Sequence, residues 1–143
     1  MKQMLIQRLR AEGCSCVIQN GDTTLTFHQR GVKDLHNLLR NEPSTLKGAL
    51  LADKVVGKGA AVLMVAGGVE WVYAEVISVS ALELLSEHNI PTDYGKVVAN
   101  IINRAGTDIC PVEKLCLRCP TIEQSLRAID DFVAQLGTPT GRK

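Results

Sequence analysis

The sequence predicts an α/β protein with a three-layer αβα sandwich built on a mixed sheet. A β-hairpin signal lies near the amino terminus, where Asn20-Gly21 separates two β-rich segments and suits a tight turn between antiparallel strands. A strand-helix-strand pattern across residues 46–77 predicts a parallel pair of strands joined by a helix. Hairpins and βαβ units in one chain imply a mixed sheet with helices on both faces.

The amino-terminal elements follow from apolar spacing and from the residues that stop each segment. Residues 2–12 have near-helical apolar spacing and end at a glycine. Residues 14–18 and 23–28 form the predicted hairpin. Residues 32–40 predict a second helix, which ends before Pro43 because proline cannot continue it.

The central elements form the predicted βαβ unit. Residues 46–53 are mostly apolar and of strand length, residues 58–66 predict a helix, and residues 69–77 predict a second buried strand. Ser80, with Glu83 three residues later, matches a capping box and predicts that the next helix starts there.

The carboxyl-terminal part contains a weaker strand signal and two helix starts. Residues 94–98 indicate a further strand, whereas residues 100–104 fit either a strand or a helix. Pro111 predicts the first residue of one helix, and Thr121 opens a final amphipathic helix.

Length and composition limit the class of protein. A chain of 143 residues fits one domain, which we assign to residues 1–137, followed by a flexible tail at 138–143. The net charge of +1 and the 3% aromatic content indicate no nucleic-acid partner, and the apolar run at 60–66 is too short to span a membrane. Five cysteines without a secretory signal indicate reduced thiols and a cytoplasmic location. No pattern indicates a cofactor, and the oligomeric state stays open.

The end of the first buried strand is a candidate anion site. Asp53 and Lys54 end the strand, and Lys58 opens a helix whose free N–H groups and positive dipole end attract anions. The sequence does not match a P-loop, because Ala52 stands where that motif needs glycine. Alternatively, Asp53 and Lys54 only end the strand, and Gly57 and Gly59 ease close packing of the helix on the sheet.

Glu75 is a candidate acid or base on the next strand. Strand alternation places it on the same face as Trp71 and Tyr73, where a lone carboxylate is costly. Lys54 or Lys58 from the neighbouring strand end is its expected partner. The pair could be a structural ion pair or an acid/base group.

Cys110 is a candidate nucleophile. As the residue before Pro111 it caps a helix, and a helix N-terminus favours the thiolate, although Glu113 one turn later opposes this. Together with Cys116 and Cys119 it could also bind zinc or an iron-sulfur cluster. The alternative to both roles is that Cys110 is an unreactive, buried thiol.

Four separated motifs resemble a bacterial family, the domain of unknown function eighteen-ninety-three. They are residues 53–58 (DKVVGK), 73–78 (YAEVIS), 101–104 (IINR) and 110–114 (CPVEK). The resemblance implies a cytidine-deaminase-like fold. It also implies that the polar motif residues meet in one cleft: Asp53, Lys54, Lys58, Glu75, Asn103, Arg104, Cys110 and Glu113.

The chain departs from the zinc deaminases that share this fold. Those enzymes take their zinc ligands from a His/Cys-x-Glu triplet and a Pro-Cys-x-x-Cys segment at two helix starts. The corresponding positions here carry Lys58-Gly59-Ala60 and Ser78-Val79-Ser80, so we expect no deaminase-type zinc water.

The sequence therefore favours a site for a small anionic, nucleotide-like ligand. The expected acid, base and nucleophilic groups are Asp53, Glu75, Cys110 and Glu113, and the expected ligand-binding residues are Lys54, Lys58, Ser78, Asn103 and Arg104. Two alternatives stay open: a non-catalytic metabolite sensor or protein-interaction module, and a cysteine-ligated zinc or iron-sulfur protein.

Overall fold

The computed structural model describes residues 2–11, 13–28, 32–102, 110–119 and 121–137. These residues build one five-stranded sheet with helices on both faces. In chain order the elements are α1 (Lys2–Ala11), β1 (Cys16–Asn20), β2 (Thr23–Phe27), α2 (Lys33–Asn41), α3 (Pro43–Leu46), β3 (Leu50–Val56), α4 (Lys58–Gly67), β4 (Trp71–Ser78), α5 (Val79–Glu87), β5 (Thr92–Val98), α6 (Pro111–Leu117) and α7 (Ile122–Gly137).

The sheet has the strand order β2-β1-β3-β4-β5. β1 pairs antiparallel with both β2 and β3, whereas β3, β4 and β5 run parallel to one another. Gly21 in the hairpin turn has a φ of 59°, which favours glycine. The predicted hairpin, the βαβ unit and the mixed sheet are thereby confirmed.

The two faces of the sheet are covered unequally. α1 lies on one face, where Leu5 and Leu9 are fully buried against Val17, Trp71 and Tyr73. The opposite face carries the larger core, which includes α2 and α4 to α7. This arrangement confirms the predicted three layers. Within the described ranges, no helix is both long and apolar enough to cross a membrane.

Two predicted boundaries were wrong. Residues 46–53 were expected to form one strand, but Leu46 ends the short helix α3 and β3 starts only at Leu50. Pro43 stops α2 and then opens α3, because its fixed φ suits the first helical position. At α5, the cap is Ser78 rather than Ser80, and its Oγ accepts the Ala81 N–H at 3.3 Å.

The carboxyl-terminal helices begin as predicted. Cys110 is the N-cap of α6 and Pro111 its first residue. At α7, the Thr121 hydroxyl accepts the Gln124 N–H at 3.1 Å. Asp130 on α7 binds two residues of α2, His36 at 2.7 Å and Arg40, so that α7 is held against α2.

Candidate functional site

The carboxylate of Glu113 is the centre of a buried hydrogen-bond network. Only 1% of Glu113 is exposed, although it lies in the first turn of α6. Its Oε1 accepts the Lys58 N–H at 2.9 Å and the Ser78 hydroxyl at 2.5 Å, and its Oε2 accepts the Ile101 N–H. The Ser80 hydroxyl lies 3.4 Å from Oε1. We call these five residues the Glu113 network.

The network lies where two parallel strands end and two helices begin. α4 starts just after β3 and α5 just after β4, so their N-termini meet at the carboxyl edge of the sheet. Helix N-termini attract negative groups, and here that group is the side-chain carboxylate of Glu113. The Lys58 N–H, expected to hold a bound anion, donates instead to Glu113.

Glycines allow α6 to approach this edge. A Cβ on Gly57 would lie 3.2 Å from Oε1 of Glu113, and one on Gly59 would lie 2.3 Å from Cγ1 of Val112. The second distance is far below normal contact, so any side chain at residue 59 would push α6 away. These glycines therefore permit the approach of α6, whereas the sequence interpretation expected them to ease the packing of α4 on the sheet.

A cleft of about 430 Å³ opens beside the Glu113 network, between α4, α5 and the start of α7. Lys58 and Ser80 belong to both the network and the cleft wall. The Lys58 side chain lies close enough to the Cys116 thiol to favour its ionised form. The remaining polar groups of the wall come from α5 and from the region of α6 and α7: Glu83, Glu87, His88, Cys119, Thr121 and Ser125.

Sequence reasoning missed most of this wall. Ser80, Glu83 and Glu87 share one face of α5 because they are spaced by three and four residues, and this was the available signal. His88 also lines the cleft, and its Nδ1 lies 3.0 Å from the Leu84 carbonyl oxygen. The contribution of α7 depends on tertiary packing, which spacing along the chain does not reveal.

Cys110 lies one turn before Glu113 and is half-buried at the edge of the larger core. Its backbone N–H donates to the Ile101 carbonyl at 2.7 Å, and the Ile101 N–H donates to Glu113. Cys110 and Glu113 therefore both bind the backbone of Ile101. This places Cys110 beside the network. Its role as a nucleophile stays a prediction.

The other two cysteines of the proposed metal set have different surroundings. Cys116 is fully buried, and burial raises the pKa of its thiol to about 11. The Cys119 thiol donates to the Leu115 carbonyl at 3.5 Å. In the part of the chain that the structure describes, no three His, Cys, Asp or Glu side chains converge as metal ligands. The metal interpretation therefore gains no support there.

Glu75 lies on the other face of the sheet, away from the Glu113 network. Its Oε1 accepts from Nε of Arg10 at 2.6 Å, and Arg10 also donates to the Tyr73 hydroxyl at 2.9 Å. The predicted pairing of Glu75 with Lys54 or Lys58 was wrong. Alternation directs Glu75 towards α1, and α1 supplies the cation.

Asp53 lies within β3, between Cys16 on β1 and Ala74 on β4. Burial raises the pKa of its carboxyl to about 7, the negative charge of Asp34 adds to this effect, and backbone N–H groups oppose it. Lys54 beside it is exposed. Among the described residues, no hydrogen bond or ion pair joins Asp53 or Lys54 to Glu113.

The structure thus brings together Lys58, Ser78, Cys110 and Glu113, and leaves Asp53, Lys54 and Glu75 elsewhere. Two further residues of the predicted site, Asn103 and Arg104, lie outside the described residues.

Comparison with known proteins gives a consistent assignment. No curated protein matches the sequence. A crystal structure of a DUF1893 family protein (TM1506) from Thermotoga maritima matches with a TM-score of 0.82 and 26% identity, covering 90% of this chain and 87% of that one. This origin fits the bacterial family that the motifs indicate, but neither comparison describes a deaminase-like fold, which stays a prediction. Residues 4–133 match the family described as TM1506, a domain of unknown function (DUF1893), and the chain therefore belongs to this family.

Proposed function

We propose that the chain binds a small anionic, nucleotide-like metabolite in the cleft between α4, α5 and α7. The observation that carries this proposal is the position of Lys58, whose backbone N–H belongs to the Glu113 network and which also lines the cleft. The cleft volume of about 430 Å³ falls within the range of about 300 to 1,000 Å³ that is usual for small-molecule sites.

The charges of the cleft wall suit a ligand with two different ends. Lys58 would bind a phosphate or carboxylate as a point charge. Glu83 and Glu87, both exposed on α5, would accept hydrogen bonds from ring amines or sugar hydroxyls. The Ser80 and Thr121 hydroxyls can donate or accept between these ends.

The surroundings of Glu113 favour binding over catalysis. Its carboxylate accepts from three close donors, and this suits a group that fixes the N-termini of α4 and α5 more than one that exchanges protons with a substrate. Glu75 is bound to Arg10 on the opposite face. We therefore infer a metabolite-binding protein, and we expect it to work in the cytosol because its described cysteines are free thiols.

A thermal-shift screen tests this proposal. Purified protein is heated with nucleotides, nucleosides and sugar phosphates, alongside the variants Lys58→Ala and Lys54→Ala. A ligand at 100 times its Kd stabilises a protein by about 2.7 kcal/mol, which corresponds to roughly 8 °C for a chain of this size. We expect Lys58→Ala to lose this shift.

Lys54→Ala is the matched control because Lys54 is exposed, lies four residues earlier and does not line the cleft. Removing its charge should leave the ligand shift unchanged. Equal losses in both variants would point to non-specific charge attraction, and the absence of any stabilising compound would reject the proposed ligand class.

A further inference from the structure

β5 is the outermost strand of the sheet, and it is exposed along its length. Among the residues that the structure describes, the order β2-β1-β3-β4-β5 leaves one side of β5 without a partner strand. Its five central residues are all exposed, and the first and last are half-buried. Tyr94 and Val97 keep 47% and 36% of their surface exposed, on opposite faces of the strand.

This edge lacks most of the features that protect sheet edges from pairing. Natural edges are short, contain proline, bulge away from the sheet or carry several charges. β5 is seven residues long, contains no proline, and keeps one constant register against β4 from Thr92 to Val98. Lys96 and Asp93 are its charged residues, with a net charge of zero.

The backbone groups that point outward can be identified from the neighbouring ladder. The Val72 N–H donates to the carbonyl of Pro91, the residue just before β5. Backbone groups alternate in direction along a strand, so the odd-numbered residues of β5 also direct their N–H and C=O groups towards β4. Thr92, Tyr94, Lys96 and Val98 therefore direct theirs away from the sheet.

We propose that this edge pairs with β5 of a second copy of the chain, antiparallel and centred on Gly95. A two-fold axis at Gly95 places Tyr94 of each copy opposite Lys96 of the other, and both residues direct their free backbone groups into the interface. These are the hydrogen-bonded pairs of an antiparallel ladder. The two sheets then form one sheet of ten strands.

The side chains of β5 complement themselves in this register. Each Lys96 ammonium lies beside a Tyr94 ring, a favourable cation–π arrangement that occurs twice. Each Asp93 lies opposite Val97, so identical charges never face each other directly. Asp93 is also held in place, since its carboxylate accepts from Nε1 of Trp71 at 3.2 Å.

A second copy is a better occupant than an open chain of copies. Joining β5 to β2 would leave a free edge at each end and would continue indefinitely, whereas the two-fold pair is closed. β2 is also less accessible, because four of its five residues are half-buried.

Sedimentation equilibrium of the full chain, from micromolar to millimolar concentration, tests the proposal. We expect a dimer whose Kd rises about 10-fold in Tyr94→Lys, because two lysines then face each other at both symmetric positions. The double variant Tyr94→Lys with Lys96→Glu restores opposite charges and should recover the wild-type Kd.

Met4→Lys is the matched control, since Met4 is an equally exposed apolar residue on α1. It should leave the dimer unchanged, and at concentrations where the monomer predominates circular dichroism should give the same melting temperature for the wild type and all three variants. A monomer at millimolar concentration, a dimer insensitive to Tyr94→Lys, or no recovery in the double variant would overturn the proposal.

Discussion

Asp53→Asn should change how stability depends on pH, because Asp53 is a half-buried carboxyl without a cation among its described contacts. Burial raises its pKa from 3.8 to about 7. Between these values the folded protein holds a proton that the unfolded chain has released. Unfolding therefore releases a proton in this window, and the free energy of unfolding falls as pH rises from about 4 to 7.

The magnitude follows from the two pKa values. Each pH unit corresponds to about 1.36 kcal/mol, which gives about 4 kcal/mol for a fully buried group. Asp53 keeps partial contact with water, so we expect about half of this, roughly 2 kcal/mol. Asparagine has no such proton and keeps the oxygen that accepts the Val55 N–H at 3.3 Å.

Urea unfolding at pH 4.5 and pH 8 measures the effect, followed by the fluorescence of Trp71, the single and buried tryptophan. Relative to the wild type, Asp53→Asn should gain most of this 2 kcal/mol between pH 4.5 and pH 8. Asp22→Asn, at the exposed hairpin turn, is the control and should show no such change. A constant difference between Asp53→Asn and wild type at both pH values would refute the reasoning.

Three further predictions concern the packing of the helices. Glu113→Ala should lower the free energy of unfolding in urea by about 3 to 5 kcal/mol, because it leaves the buried donors of the network without an acceptor. Glu113→Gln should lower it by roughly half as much, since its amide oxygen replaces one of the two carboxylate oxygens. Equal losses in the two variants would argue against the network. Gly59→Ala should lower the free energy of unfolding by about 1 to 3 kcal/mol, because its Cβ would lie 2.3 Å from Cγ1 of Val112. In the double variant with Val112→Ala, much of this loss should disappear. Losses that simply add would show that the clash with Val112 is not the cause. Asp130→Asn removes the ion pairs that join α7 to α2, and it should lower the free energy of unfolding by about 0.5 to 1 kcal/mol above pH 4. Burial works to raise the pKa of Asp130, but the hydrogen bonds from His36 and Arg40 outweigh this and lower it. The stabilisation by Asp130 is therefore lost as pH falls through the lowered pKa, and a difference from wild type that stays constant as pH falls below 4 would contradict this.

The order of elements could be predicted because it depends on local patterns. Asn20-Gly21 marks the hairpin, and the apolar runs around α4 mark the βαβ unit. The boundary at Leu46 failed because an apolar residue fits a strand and a buried short helix equally well. Ser78 was not identified as the cap because Ser80 and Glu83 formed the better local pattern, whereas Ser78 gains a tertiary partner in Glu113.

The candidate site could be predicted only in part, for the same reason. Lys58, Ser78, Cys110 and Glu113 flank helix starts, and helix starts can be found from sequence. The partner of Glu75 could not be found, because Arg10 lies 65 residues away on a helix whose docking position depends on the fold. Local rules identify groups that need partners, and the fold decides which partner each group receives.

The late position of Glu113 has a consequence for synthesis. The Lys58 N–H and the Ser78 hydroxyl leave the ribosome 55 and 35 residues before the carboxylate that they bind. A nascent chain that ends before α6 lacks the carboxylate that accepts from both donors. The carboxyl edge of the sheet is therefore completed last, because the carboxylate that joins the two helix starts is synthesised after both of them.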